Sequence, residues 1–204
     1  MKKKTIVIIT VVVGLLVVAL LILSRFSEPP LPPLRLDLSQ PVLSQPTATV
    51  DQAKKWAKRN HAANLFIELA DTYWEIGEQT GVNPTIAYAQ AALETNFMNF
   101  GGLVDASYHN PCGLKTATGG DDDDPDAHHR FADWYEGILA QYEHLALYAG
   151  QDGYPLEWPN DPRHFSYLFG EARTVGEIGD KWASSANYAK VLAELVDRME
   201  VTPE

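Results

Sequence analysis

A chain of 204 residues with 46% apolar and 21% charged side chains has a globular balance and room for one domain with additions. Its formal net charge is −11, and residues 24–204 alone carry 13 basic and 27 acidic side chains, a net of −14, which argues against nucleic acid as a partner. The single cysteine, Cys112, excludes an internal disulfide and leaves stability to a packed core.

The chain opens with "MKKK", followed by Thr5 to Leu23, an uncharged apolar run of 19 residues, long enough to cross a bilayer once as a helix. The three lysines before it predict a short cytoplasmic tail over 1–4, a single-pass anchor in the cytoplasmic membrane over 5–23, and the rest of the chain outside. A cleaved signal peptide is the rival reading, but its apolar region is usually shorter and no A-x-A site follows here. Residues 24–50 hold six prolines and no glycine, which predicts a semi-extended linker that holds a folded domain, 51–204, off the membrane.

From about Asp51 the pattern is helical. Leu65, Phe66, Leu69, Tyr73 and Ile76 recur at helical spacing, with Gly77 and Gly81 as stop signals. Asn83 as N-cap and Pro84 at the first position restart a helix that runs to about Thr95, with Ile86, Gln90, Leu93 and Phe97 on one stripe. Asp133 and Glu136 resemble a capping box before a helix that carries Trp134, Ile138, Tyr142 and Leu145 on one face. Pro162 is expected to start a short helix with Phe165 and Leu168. Thr174 begins another capping box, and Val191, Leu195 and Met199 mark the last amphipathic helix. There is no internal repeat and no strand run beyond a short hairpin expected between Gly113 and Arg130. The fold class is therefore mainly α.

One carboxylate stands out. Glu94 lies one step from the buried stripe, at the C-terminal end of its helix. The negative end of the helix dipole and apolar neighbours both disfavour its charge, which raises a carboxyl pKa as a general acid requires. On spacing alone, the plainer reading, an exposed surface glutamate, is the stronger of the two.

The ordered set "AQAALETNF", "FGG", "YHNPCGLK", "RFADWYEGI" and "KWASSANYAKVL", spread over about residues 62–200, resembles the glucosaminidase domain of bacterial autolysins, glycoside hydrolase family 73. The resemblance implies a lysozyme-like α+β fold, a helical domain with a small β-lobe or flexible loop lobe. It implies cleavage of peptidoglycan glycan strands between N-acetylglucosamine and N-acetylmuramic acid, with no cofactor or metal. Proteins described as mannosyl-glycoprotein endo-N-acetylglucosaminidases carry similar domains. By this resemblance Glu94 is the general acid, Asn110, Gly113 and Lys115 match an "N-x-x-G-x-K" loop beside the substrate, and Tyr188 borders the active site. Tyr108, next to that loop, is a candidate sugar-stacking residue, as are Trp134, Trp158 and Trp182, although most of these aromatics are expected in the core or the cleft walls.

Glycoside hydrolysis usually takes a second carboxylate. The family draws it from the β-lobe, some thirty residues after the acid, often as glutamate, whereas this chain has no glutamate between Glu94 and Glu136. It offers "GGDDDDPDAHHR" instead, where Asp122 and Asp124 are the preferred candidates among the aspartates from Asp121 to Asp126. A solvated acidic cover, or calcium held by clustered carboxylates, are the other readings, although the run lacks EF-hand spacing. A cysteine peptidase built on Cys112 with His128 or His129 is a weaker reading, because Cys112 sits inside a loop motif rather than at a helix start. A lytic transglycosylase with one acid and a non-catalytic wall-binding domain complete the alternatives.

Overall fold

A computed structural model describes residues 32–182 and 185–204. Pro33–Glu204 form one compact unit. The expected membrane helix over 5–23 lies outside the described residues, and among those described no helix is long and apolar enough to cross a membrane.

Seven α-helices carry this unit among the described residues: α1 Val50–Arg59, α2 Asn64–Glu68, α3 Ala70–Thr80, α4 Pro84–Thr95, α5 Trp134–Ala149, α6 Val175–Trp182 and α7 Tyr188–Glu200. The centre is α4. Its residues from Pro84 to Ala92 are all buried, and α3, α5 and α7 pack around it. Alanines at 87, 89, 91 and 92 let those neighbours approach closely, and Ile86 and Tyr88 fill the space between them. Tyr88 stacks on Phe66 at 4.1 Å between centroids and meets Tyr73 edge-on at 5.1 Å. Each such fully buried large side chain contributes on the order of 1.5–3 kcal/mol relative to exposure.

Helix boundaries follow local chemistry. Asn83 accepts the Thr85 N–H at 2.9 Å, as its N-cap position predicts. Thr174 and Glu177 form a reciprocal capping box: the Glu177 N–H donates to Thr174 Oγ1 (3.3 Å) and the Thr174 N–H to Glu177 Oε2 (3.1 Å). At α5 only half of the expected box forms. Asp133 accepts the Glu136 N–H (2.9 Å), but Glu136 reaches back to the Ala132 N–H (3.1 Å).

Several expectations are corrected. The single helix expected over 64–81 divides at Leu69 into α2 and α3. Gly77 is no stop: it lies inside α3, where a Cβ would come within 3.0 Å of Pro84, so the glycine permits close packing against the start of α4. Gly81, at φ 73°, does end α3. Pro162 starts no helix; a 3-10 turn at Ser166–Leu168 follows instead. The buried face of α7 runs through Tyr188, Leu192, Val196 and Met199, while Val191 is exposed.

The expected linker over 24–50 is corrected in its described part. Val42 is fully buried, its N–H donates to the Arg173 carbonyl (2.9 Å), and its carbonyl accepts the Asn83 N–H (2.8 Å). The Val175 N–H donates to the Gln40 carbonyl (3.0 Å). From Pro33 the segment belongs to the compact unit and ties the start of α6 to the start of α4.

The small β-lobe is a loop lobe. Among the described residues it holds a single antiparallel bridge, Lys115 with His128, flanked by Thr116 N–H to Ala127 O (2.8 Å) and His129 N–H to Leu114 O (2.9 Å). This pairing lies where the short hairpin was expected. Too few residues pair for a strand ladder.

Candidate active site

The end of α4 is unusual. After Glu94 and Thr95, three successive residues, Asn96, Phe97 and Met98, take left-handed conformations at φ 51°, 56° and 56°. Non-glycine residues rarely do this, and each costs roughly 1–2 kcal/mol. Thr95 holds the turn: its hydroxyl donates to Ala91 O (2.6 Å) and accepts the Met98 N–H (2.8 Å). The Phe97 carbonyl accepts the Ala63 N–H (3.1 Å), tying the turn to the start of α2. Strain of this kind persists where surrounding packing over-determines it, and here it lies directly beside Glu94.

Glu94 opens into a cleft of about 920 Å³ between the helical body and the loop lobe. Its surface area is exposed to that cleft, yet protein crowds it on its other sides. For the proton the crowding decides: burial pushes the carboxyl pKa up, and hydrogen bonds from Tyr188 and Trp182 only partly oppose it. The Tyr188 hydroxyl donates to Glu94 Oε1 at 2.5 Å. Desolvation and the adjacent carboxylate hold the Tyr188 phenol well above its ordinary range, so it remains a donor at neutral pH.

Behind Tyr188 runs a buried chain of hydrogen bonds pointing one way. Tyr73 Oη donates to Gln141 Oε1 (2.9 Å), Gln141 Nε2 to Gln90 Oε1 (2.9 Å), Gln90 Nε2 to Tyr188 Oη (3.3 Å), and Tyr188 to Glu94. Such a series polarises along its length and fixes the carboxylate it ends on.

The loop lobe forms the facing wall. Asn110 is fully buried; its Nδ2 donates to Leu114 O (2.8 Å) and His129 O (3.0 Å), and its Oδ1 accepts the Leu114 N–H (3.0 Å). It organises the loop against which substrate would lie. Gly113, at φ +68°, has open space where a Cβ would stand, so backbone conformation is what calls for glycine there. Lys115 pairs with Asp122 at 2.6 Å and donates to the Gly120 carbonyl at 2.6 Å. That lysine contact holds the exposed Asp122 below the usual carboxylate range, hence ionised.

Glu94, Asp122, Tyr188, Asn110, Gly113 and Lys115 therefore line one cleft. Two other candidates do not. Asp124 caps the turn Pro125–Ala127 by accepting the Asp126 N–H (2.9 Å). Tyr108 is buried beneath Arg130, whose guanidinium carbon lies 3.5 Å from its ring centroid. Cys112 is buried, and burial pushes its thiol well up, the opposite of what a thiolate nucleophile needs. No three carboxylate, histidine or cysteine groups converge as a metal cage among the described residues.

With this geometry in hand, comparison with known proteins is decisive. The family model described as "Glucosaminidase: Mannosyl-glycoprotein endo-beta-N-acetylglucosaminidase" matches residues 70–201, from the start of α3 to the end of α7. The chain belongs to the glucosaminidase family. This is a family of glycoside hydrolases, so the glucosaminidase cleft is the place to look for glycosidic chemistry. An uncharacterized protein of Borreliella burgdorferi (strain ATCC 35210 / DSM 4680 / CIP 102532 / B31) is 32% identical over 133 residues, 65% of this chain and 62% of that protein. The chain thus covers less than two thirds of that relative's length.

Sequence reasoning missed three parts of the glucosaminidase site. Trp182, read as a stacking or cleft-wall residue, lines the cleft with Glu94 and works against the rise in its carboxyl pKa. His144 meets Trp182 edge-on at 5.2 Å, and its Nδ1 lies 2.7 Å from the buried Asp161, which also contacts His164 at 3.3 Å. Gln90 and Gln141 carry the buried chain described above. Gln90 did leave a signal, a polar side chain on an otherwise apolar stripe. Trp182 and His144 come together only through the packing of α5 and α6.

Proposed function

We propose that this glucosaminidase hydrolyses peptidoglycan between N-acetylglucosamine and N-acetylmuramic acid, with Glu94 as the general acid. The observation that carries this is the state of Glu94. It opens into the cleft with a raised pKa and is oriented by the Tyr188 hydroxyl, so it keeps its proton to higher pH than an ordinary carboxyl and can deliver it to the glycosidic oxygen. In this reading Tyr188 fixes the carboxyl and steadies the carboxylate left after proton transfer. Asp122 is the second carboxylate, in preference to Asp124, because it lines the same cleft and is kept ionised by Lys115. An ionised carboxylate suits activation of water or stabilisation of the oxocarbenium-like transition state. Loop closure would bring it to the substrate. Residues 5–23, apolar and preceded by three lysines, would anchor the enzyme in the cell membrane with the domain on the wall side.

A lytic transglycosylase is the second reading, favoured by Glu94 being the cleft carboxylate whose pKa is raised while Asp122 is paired with Lys115 through one oxygen. Mass spectrometry of digested peptidoglycan separates the two. Reducing N-acetylglucosamine ends support the hydrolase, 1,6-anhydromuramic ends support the transglycosylase, and uncut strands refute both.

A further inference from the structure

One cation in the cleft differs from the others. Lys115 is neutralised by Asp122 at 2.6 Å and Lys181 by Glu171 at 2.9 Å. Arg163 lines the same cleft, half-buried, and no carboxylate pairs with its guanidinium among the described residues. The nearby Asp161 accepts the Arg163 backbone N–H (2.8 Å) instead. Of the five guanidinium N–H donors, one is engaged, by a long contact of 3.4 Å from Nη1 to the Thr116 carbonyl. The guanidinium sits over the ring of Phe165 at 4.9 Å, and Phe165 stacks on Tyr167 at 5.5 Å with an interplanar angle of 11°. Tyr167 lines the cleft and is 70% exposed.

We propose that Tyr167 and Arg163 form a subsite that recognises an anionic glycan, Tyr167 stacking on a sugar ring and Arg163 pairing with a carboxylate carried by the strand. The proposal rests on the glucosaminidase reading above and adds a basis for substrate choice. Exposed aromatic faces suit the apolar faces of sugar rings, which are neutral and alike in all N-acetylhexosamine polymers. A guanidinium adds what stacking cannot, bidentate recognition of a carboxylate. Residues 24–204 carry a net charge of −14, so an acidic polymer gains little from the surface as a whole, and an unneutralised cation inside the cleft becomes the point of discrimination. In peptidoglycan the carboxylate comes from the stem peptide or, on a muramic ring without a stem, from the lactyl group whose carboxyl the stem's amide bond otherwise consumes. Chitin-type oligomers have neither.

The test uses full-length protein carrying Glu94→Gln, so that bound strands survive. Its affinity is measured for chitohexaose, for peptide-free peptidoglycan strands, and for strands that keep their stem peptides. The expected result is a preference for the anionic strands that weakens with salt and that Arg163→Gln reduces about tenfold, the low end for a hydrogen bond to a charged group. A loss with peptide-free strands assigns the contact to the lactyl carboxylate, which is free only once the stem is removed; a loss confined to peptide-bearing strands assigns it to the stem. Arg163→Lys, which keeps the charge and loses the fork, should fall between. If Arg163→Gln lowers affinity for all three ligands by one factor, or for none, the subsite is refuted and Arg163 merely braces the loop at Thr116. Melting temperatures of each variant identify any loss due to unfolding, and Arg163→Lys then gives the deciding comparison. Failure of the glucosaminidase reading shows separately, as wild-type protein that leaves every polymer uncut.

Discussion

Replacing Gln141 with leucine tests whether the buried chain behind Glu94 acts as a unit. Gln141 is fully buried on α5 and makes three hydrogen bonds: it accepts from Tyr73 Oη (2.9 Å) and donates to Gln90 Oε1 (2.9 Å) and Ala87 O (3.0 Å). Leucine has nearly the same volume, so little cavity forms. The cost lies in the partners. Tyr73 Oη and Gln90 Oε1 are left buried and unpaired, at roughly 1–3 kcal/mol each. The Ala87 carbonyl sits within α4 and keeps a helical partner. Burying leucine in place of an amide offsets part of this, leaving a destabilisation of about 3 kcal/mol. For a chain of this length that lowers Tm by roughly 6–12 °C. Thermal melts of the full-length protein followed by circular dichroism measure it. Adding Tyr73→Phe removes one orphan, so the double variant should be more stable than the sum of the singles implies. A Tm within 2 °C of wild type for Gln141→Leu would refute the claim that these bonds are formed and closed to water.

Glu94 must be protonated to act as an acid, so kcat/KM should fall as pH rises through its raised pKa; Tyr188→Phe, which removes a bond favouring the carboxylate, should slow cleavage and move that alkaline limb to higher pH. An unchanged limb in a pH–rate profile would remove Tyr188 from the mechanism. Gly137→Ala should yield no soluble folded protein, because a Cβ there would lie 1.8 Å from the His109 carbonyl oxygen; soluble expression with a wild-type melt would contradict this. Burial pushes the Asp161 carboxyl up, but hydrogen bonds from His144 and His164 outweigh it and hold it low. Its contribution to stability is therefore complete above the ordinary aspartate pKa and is lost as pH falls through the lowered folded value. Asp161→Asn should melt well below wild type at pH 6, with the deficit shrinking below pH ~4; a pH-independent deficit would count against the pairing.

Local chemistry was legible wherever a residue acts on its own neighbours. Asn83 with Pro84, and Thr174 with Glu177, set helix starts through bonds spanning two or three residues, and the structure forms those bonds. Gly77 was misread because its role is set by Pro84, seven residues on and in another helix. The stripe through Val191 and Leu195 was rotated from the true buried face because the packing of α6 and α4 on α7, not hydropathy alone, fixes the rotation. At the site, Glu94 stood out by its place at a helix end and then, with Tyr188, by the family resemblance, and the structure brings the two into contact. Tyr108 and Asp124 carry the right chemistry in the right stretch, but sequence does not say where a loop side chain points. Tyr108 turns under Arg130, and Asp124 turns back on its own backbone. Trp182, His144 and Arg163 converge on the cleft from three segments, a convergence no sequence window contains.

The central claim, that Glu94 is the general acid of a peptidoglycan glucosaminidase, is tested most directly by Glu94→Gln. Initial rates of release of reducing ends from purified peptidoglycan are measured for wild-type and variant protein at matched folded concentration, with melting temperature as the control for structure. The substitution keeps size and shape and removes the transferable proton, so the account predicts an unchanged fold and a loss of at least ~100-fold in rate. A folded Glu94→Gln protein that cleaves at close to the wild-type rate would contradict it.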